Sequence, residues 1–329
     1  MSIFKNQVIL ITGGTGSWGN ELTRQLLEKD PKKIIIYSRS ELNQVNMSRK
    51  FNNSKIKFII GDIRDYNQVN KSFKGVDYIF HLAALKHVPI CEEQPDEAIK
   101  TNIIGTQNVI EAAKQNKVKK VIDVSTDKAV DPFNFYGMTK AIGERLIINA
   151  NIDSDTTKFV CIRGGNVLGT NGSVVPFFID QIKKYKTISI TDKKMTRYYI
   201  TQEQAIHLLF KAAEESIGGE TFVMKMPACK VIDLADVLIE EIGEKNVTIK
   251  EIGVRPGEKI HECLVSKHES PLSYKYDENY YVILPQVKIG DLSKKYNDFE
   301  KVSFQEYSSN NLLMDKNQIK IILKNGKFI

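Results

Sequence analysis

An apolar run, Val8-Ile-Leu-Ile-Thr12, passes without a break into Gly13-Gly-Thr-Gly16-Ser-Trp-Gly19 and then into a segment of helical character. No other stretch restricts the fold as much. The run suits a strand buried on both faces, as in a parallel sheet. Gly13 permits a tight turn, Gly16 lets a pyrophosphate approach backbone amides at a helix N-terminus, and Gly19 lets helix and strand pack closely. A glycine triplet alone is weak evidence, and an ordinary strand-to-helix turn is the plain alternative. Position after a strand and before a helix favours a dinucleotide fingerprint.

The rest of the first half keeps the rhythm. Residues 33–38, 57–62, 78–83 and 119–126 read as further buried strands, with helical patterns at 19–29, 66–73 and 95–115 between them. A sixth strand, 159–167, follows a helix that begins near Tyr136. Strand and helix alternating at this interval predict βαβ units and an α/β, Rossmann-type doubly wound parallel sheet. After about residue 170 the pattern loosens. Helices are expected at 201–214, 232–242 and 315–324, a loop plus helix at 172–185, a turn at 255–259 and a polar, Tyr-rich tail from Ser270. The organisation expected is a nucleotide-binding domain over 1–170 and a smaller lobe over 171–329, with chain crossings between them.

Composition excludes more than it identifies. Hydrophobic residues make up 42% and charged residues 26%, enough for a full core. The net charge of +7 comes from scattered lysines and does not call for nucleic acid. Cys91, Cys161, Cys229 and Cys263 lie far apart, as reduced cytoplasmic thiols do. No run reaches the length of a membrane span. The five histidines have no metal-ligand spacing. A cytoplasmic protein without membrane or nucleic-acid partners and without a metal is expected.

The second strand ends in Tyr37-Ser38-Arg39. An acidic residue there would suit a ribose 2′-hydroxyl, whereas Arg39 suits a 2′-phosphate and argues for NADP. Tyr136 and Lys140 stand four apart, on one face of a helix. An ammonium beside a phenol stabilises the phenolate, making Tyr136 a base for a hydroxyl whose carbon loses hydride. Asp127 and Lys128 follow the fifth strand, whose carboxyl end should line the ligand crevice. Burial should favour the neutral forms of both, an acid beside an amine.

The glycine spacing resembles the extended branch of the short-chain dehydrogenase/reductase superfamily. Asp-Lys at 127–128 and Gly-Ser-Val-Val-Pro-Phe-Phe at 172–178 narrow the resemblance to configuration-inverting UDP-N-acetylglucosamine 4,6-dehydratases, which serve pseudaminic-acid and capsule pathways. Segments 83–89, 190–198, 255–262 and 280–285 extend it through nearly the whole chain. Gly164 departs from the pattern, many relatives having Tyr there, and Asn43 stands where Lys is common. The resemblance implies a dehydratase using NADP, with Thr126, Asp127, Lys128, Tyr136 and Lys140 catalytic. Thr15, Ser17, Trp18, Ser38, Asp62, Ile63, Ala83, Ala84, Ser125 and Val167 would join the glycines and Arg39 around the cofactor. A UDP-sugar would lie across Lys86, Asn166, Ser173, Val174, Pro176, Arg197, Arg255 and Glu258, the two arginines clamping its diphosphate. The resemblance also implies a homo-oligomer. A UDP-sugar 4-epimerase would need Tyr136 and Lys140 but not the Asp-Lys pair. A non-catalytic NADP-sensing protein of the same fold would need neither.

Overall fold

The computed structural model describes residues 2–170 and 172–329. The first half contains β1 (Val8–Thr12), α1 (Ser17–Leu27), β2 (Lys33–Ser38), α2 (Glu41–Phe51), β3 (Ile56–Ile60), α3 (Tyr66–Ser72) and β4 (Tyr78–His81). There follow α4 (Val88–Glu93), α5 (Pro95–Ala98), α6 (Gly105–Gln115), β5 (Lys120–Thr126), α7 (Phe135–Asn149) and β6 (Lys158–Gly164). These six strands are parallel, in spatial order β6-β5-β4-β1-β2-β3. The order reverses between β1 and β4, the switch point at which open α/β sheets bind ligands.

Alternation along β1 explains the layering. Ile9 and Ile11 belong to the core formed with Leu22 and Leu26 of α1, while Leu10 belongs to the opposite core with Val109 and Ile110 of α6. Both faces are covered, which is why the strands read as continuous apolar runs.

The expected helix over 95–115 is interrupted by a π turn at Ile99–Ile104. The expected strand over 159–167 divides as well. β6 stops at Gly164, and β7 (Asn166–Val167) leaves the main sheet to pair with a strand at Thr196–Ile200. A Cβ on Gly165 would stand 2.6 Å from that of Tyr198, so only glycine lets the chain turn there.

The later elements are α8 (Val174–Tyr185), β8 (Thr187–Ile190), β9 (Thr196–Ile200), α9 (Gln202–Glu215), β10 (Thr221–Met224), β11 (Ala228–Lys230), α10 (Val231–Ile242) and β12 (Thr248–Glu251). β13 (Cys263–Val265), β14 (Ser273–Lys275), β15 (Tyr280–Ile283), α11 (Leu292–Lys295), β16 (Tyr307–Ser308) and α12 (Lys316–Asn325) complete the chain. β10 extends the main sheet parallel to β6, and β15 and β14 add to it antiparallel. The Tyr-rich tail is therefore structured, which its polar composition hid. Its rings supply the apolar area, as where Tyr276 stacks on Phe299 at 5.4 Å. No helix among the described residues is long and apolar enough to cross a membrane.

Candidate active site

A cavity of about 730 Å³ opens at the carboxyl ends of β1, β2, β4 and β5. Gly13, with φ +64°, begins its floor, and a Cβ there would lie 2.9 Å from the Ala83 backbone. A Cβ on Gly19 would fall 2.2 Å from the Gly14 carbonyl oxygen, whereas one on Gly16 would meet only the Gly13 carbonyl oxygen, at 3.4 Å. The start of α1 thus borders the cavity with no side-chain cap from Gly16, a cradle that fits a dinucleotide pyrophosphate. Thr15, Ser17, Trp18, Ser38, Arg39, Asp62, Ile63, Ala83, Ala84, Ser125 and Val167 are on the same wall. Ser125 Oγ is buried there without a hydrogen-bond partner.

Thr126, Lys128, Tyr136 and Lys140 also line the cavity, as do Lys86, Asn166, Ser173 and Val174, whereas Asp127, expected among the catalytic groups, is fully buried and off the wall. α7 is pressed against the turn after β5. A Cβ on Gly137 would sit 2.1 Å from the Lys128 carbonyl oxygen. Asn134 caps the helix, its Oδ1 accepting from the Gly137 amide at 2.7 Å, and its Nδ2 donates to the Gly257 carbonyl at 2.8 Å. Lys259 Nζ donates to the carbonyls of Val130 and Asp131. The expected turn at 255–259 thus fastens the loop that leads into α7, the helix that carries Tyr136.

Two charged groups of side chains meet inside. In the first, Lys140 Nζ lies 3.4 Å from Asp123 Oδ2. Behind Asp123, His81 Nε2 stands 4.0 Å from its Oδ1, and His81 Nδ1 is 2.7 Å from Thr12 Oγ1. Burial works against the Lys140 charge, but Asp123, Tyr136, Cys161 and Glu144 together outweigh it and leave the ammonium more firmly protonated than usual. Burial brings His81 down to about 4, against the pull of Asp123, so the ring is neutral at pH 7. Burial also pushes the Tyr136 phenol up, while Lys140, Lys128 and a hydrogen bond with Thr126 pull it back.

In the second group, Lys128 Nζ lies 2.9 Å from Asp127 Oδ1 and 3.6 Å from Glu262 Oε1. Thr126 Oγ1 donates to the same Asp127 oxygen at 2.9 Å. This corrects the expectation of a neutral pair. Burial does act against the Lys128 charge, but Asp127 and Glu262 together outweigh it and raise its pKa. Lys128 thus lies between two acidic side chains that favour its ammonium form.

Four expected substrate contacts stand elsewhere. Arg197 does not line the cavity. Its guanidinium donates to the carbonyls of Thr196, Ile260 and Lys259, and its Nε lies 3.7 Å from Glu262 Oε1, so its donors are already engaged. Arg255 is exposed, and it, Glu258 and Pro176 are off the cavity wall. A two-arginine diphosphate clamp is therefore not formed in this arrangement. Asn171, within the expected substrate loop, lies outside the described residues.

Sequence reasoning missed Asp123, Glu262 and Tyr199. Asp123 had a signal, a carboxylate inside a strand otherwise apolar enough to be buried. Tyr199 lines the cavity with a buried, unpartnered hydroxyl, but a tyrosine in a strand is ordinary. Glu262 had no local signal, because its neighbours come from β9 and the turn after β5.

The family described as polysaccharide biosynthesis protein matches residues 9–284. A Campylobacter jejuni protein named UDP-N-acetylglucosamine 4,6-dehydratase (inverting) is 46% identical over 301 residues, covering 90% of this chain and 87% of that one. A Rickettsia bellii protein named UDP-glucose 4-epimerase is 42% identical over 337 residues, covering 99% and 98%. The X-ray structure of Pen from Bacillus thuringiensis superposes with a TM-score of 0.93 at 39% identity, covering 99% of both chains.

Proposed function

The chain belongs to the polysaccharide biosynthesis protein family, and from that premise we propose that it removes water from UDP-N-acetylglucosamine, with inversion at C5, to give the 4-keto-6-deoxy sugar. The observation that carries this reading is the Asp127-Lys128 pair at the end of β5, beside Tyr136. A bound nicotinamide dinucleotide would accept a hydride from C4 and return it to C6. Tyr136, held near Lys140 and Thr126, takes the proton of the C4 hydroxyl. The resulting ketone acidifies the C5 proton, which Lys128 removes as an amine, while Asp127 as an acid protonates the departing C6 hydroxyl. The resting ion pair reaches both forms by passing one proton along its 2.9 Å hydrogen bond. Neutral and ionic pairs carry the same net charge, so the transfer is a coupled titration within one site.

The dinucleotide is NADP in this reading. Support comes from Arg39 on the cavity wall with Ser38, Ser40 and Asn43, where no carboxylate ends β2. Residues 1–170 would supply most of that cradle and 171–329 mainly the UDP-sugar site, in the cytoplasm. Exposed Ile99, Ile104, Met138 and Ile142 on neighbouring elements support a homo-oligomer.

The test is proton NMR of UDP-N-acetylglucosamine with purified protein in deuterated water. A C6 methyl signal with deuterium at C5, and no accumulation of reduced cofactor, is expected. The epimerase-named relatives favour a second reading, 4-epimerisation, which would leave the C6 hydroxymethyl intact. Unchanged substrate would exclude both.

A further inference from the structure

Glu262 precedes β13, is only 2% exposed and has no place in the reaction as derived. Its Oε1 lies 3.6 Å from Lys128 Nζ and 3.7 Å from Arg197 Nε. Its Oε2 is buried without any hydrogen-bond partner. Buried polar atoms are nearly always hydrogen-bonded, so a carboxylate kept here at such a disadvantage calls for a reason. Packing offers none, since an apolar side chain would fill the same space without the desolvation.

The charged and titratable groups around Lys128 come from four directions. Asp127 is in the turn after β5, Tyr136 is on α7, Arg197 is on β9, and Glu262 and Lys259 are in the segment leading to β13. Asp127 and Glu262 are the two anions among them within 4 Å of the ammonium.

We propose that Glu262 is a positioning residue for the dehydration step, holding the Lys128 ammonium beside Asp127 and, through its own charge, setting the pH range in which that pair can act. The inference rests on the dehydratase reading above. While Glu262 is ionised, it favours the ammonium and opposes transfer of its proton to Asp127. Once Glu262 takes a proton, that opposition ends and Lys128 can pass a proton to Asp127. The C5–H bond then breaks with its proton going to the Lys128 amine. The C6–O bond breaks with the Asp127 proton leaving in water, and the Asp127-Lys128 ion pair is restored. Burial raises the carboxyl of Glu262, against the pull of Lys128, so it lies nearer the working range than a surface glutamate.

The experiment is the pH profile of C5 deuterium exchange in Glu262→Gln, with C4 oxidation by single turnover measured alongside. Gln keeps position 262 uncharged at every pH, so the alkaline limb of the exchange profile, which Glu262 ionisation sets in the parent, should move to higher pH by roughly one to three pH units while the acid limb stays. C4 oxidation should move less than exchange, because Glu262 is not among the groups that act on the Tyr136 phenol and Lys140, the first of its charged neighbours, is untouched. Glu262→Asp, which keeps the charge at greater distance, should give a smaller shift in the same direction and serves if the Gln variant does not fold. A merely structural role would lower rates without moving the midpoints. An unmoved or lowered alkaline midpoint overturns the proposal. So does loss of exchange at every pH with C4 oxidation intact, since Glu262 would then be the base itself. A parent enzyme that makes no 6-deoxy product overturns the dehydratase reading, whereas an active parent with an unmoved variant overturns only the role of Glu262.

Discussion

Lys128→Met separates oxidation from elimination. The substitution removes the ammonium 2.9 Å from Asp127 and 3.6 Å from Glu262 while keeping most of the side-chain volume. Two buried carboxylates lose their shared cation. Breaking a buried pair costs about 3–5 kcal/mol when the remaining charge cannot neutralise. Asp127 can take up a proton and keeps the Thr126 hydroxyl, so the loss of stability should fall below that range. The chemical effect should be larger. A positioned base contributes about 10²–10⁴-fold, or roughly 3–5 kcal/mol of barrier. C5 exchange and the C6 methyl product should fall by at least that factor. C4 oxidation should survive, because Tyr136, Lys140 and Asp123 are untouched. It should slow and need higher pH, since Lys128 is one of the charges that hold the Tyr136 phenol down. The assay is single-turnover absorbance of reduced cofactor, paired with NMR of C5 and C6 in deuterated water and a melting curve to confirm folding. Asp127→Asn is the complement, expected to exchange C5 yet eliminate poorly. Dehydration at the parent rate by a folded Lys128→Met would refute the assignment.

Gly19→Ala should destabilise the fold by about 1–3 kcal/mol or more, because its Cβ meets the Gly14 backbone at 2.2 Å. Gly16→Ala should melt like the parent and lose affinity for the dinucleotide, since its Cβ meets only the Gly13 carbonyl, at 3.4 Å, and projects into the cavity. Melting curves and cofactor titration distinguish them, and equal loss of stability in both would refute the geometry. Acid should weaken the protein before its carboxylates titrate. His81 is held at about 4 by burial against an ordinary 6.5, so between those values the unfolded chain binds a proton that the folded chain refuses. Stability should be whole above pH 6.5 and fall by about 3 kcal/mol as pH drops to 4. Urea midpoints against pH should show this slope, and it should flatten in His81→Asn.

The sequence exposed those parts of the site that depend on short spacing. The apolar run before Gly13 and the four-residue step from Tyr136 to Lys140 each specify a local geometry, and the fold brings them to one crevice. The side chains of Asp127 and Lys128 were legible as a pair, but not their charge. Burial alone argues for a neutral pair. What decides otherwise is Asp127 together with Glu262, the latter more than a hundred residues along the chain and brought within 3.6 Å by the return of the segment before β13. Arg197 follows the same logic. A lone arginine in a sequence offers forked donors to any phosphate, yet here the carbonyls of 259 and 260 and the Glu262 carboxylate take those donors first. The tail was hidden for a different reason. Tyrosine counts as polar or apolar according to where its ring goes, and Tyr274, Tyr276 and Tyr296 bury theirs against one another. The elements that close the sheet and those that tune Lys128 thus come from the same C-terminal half. Its contacts with the first half help set the electrostatics of the Asp127-Lys128 pair, both members of which lie before position 141.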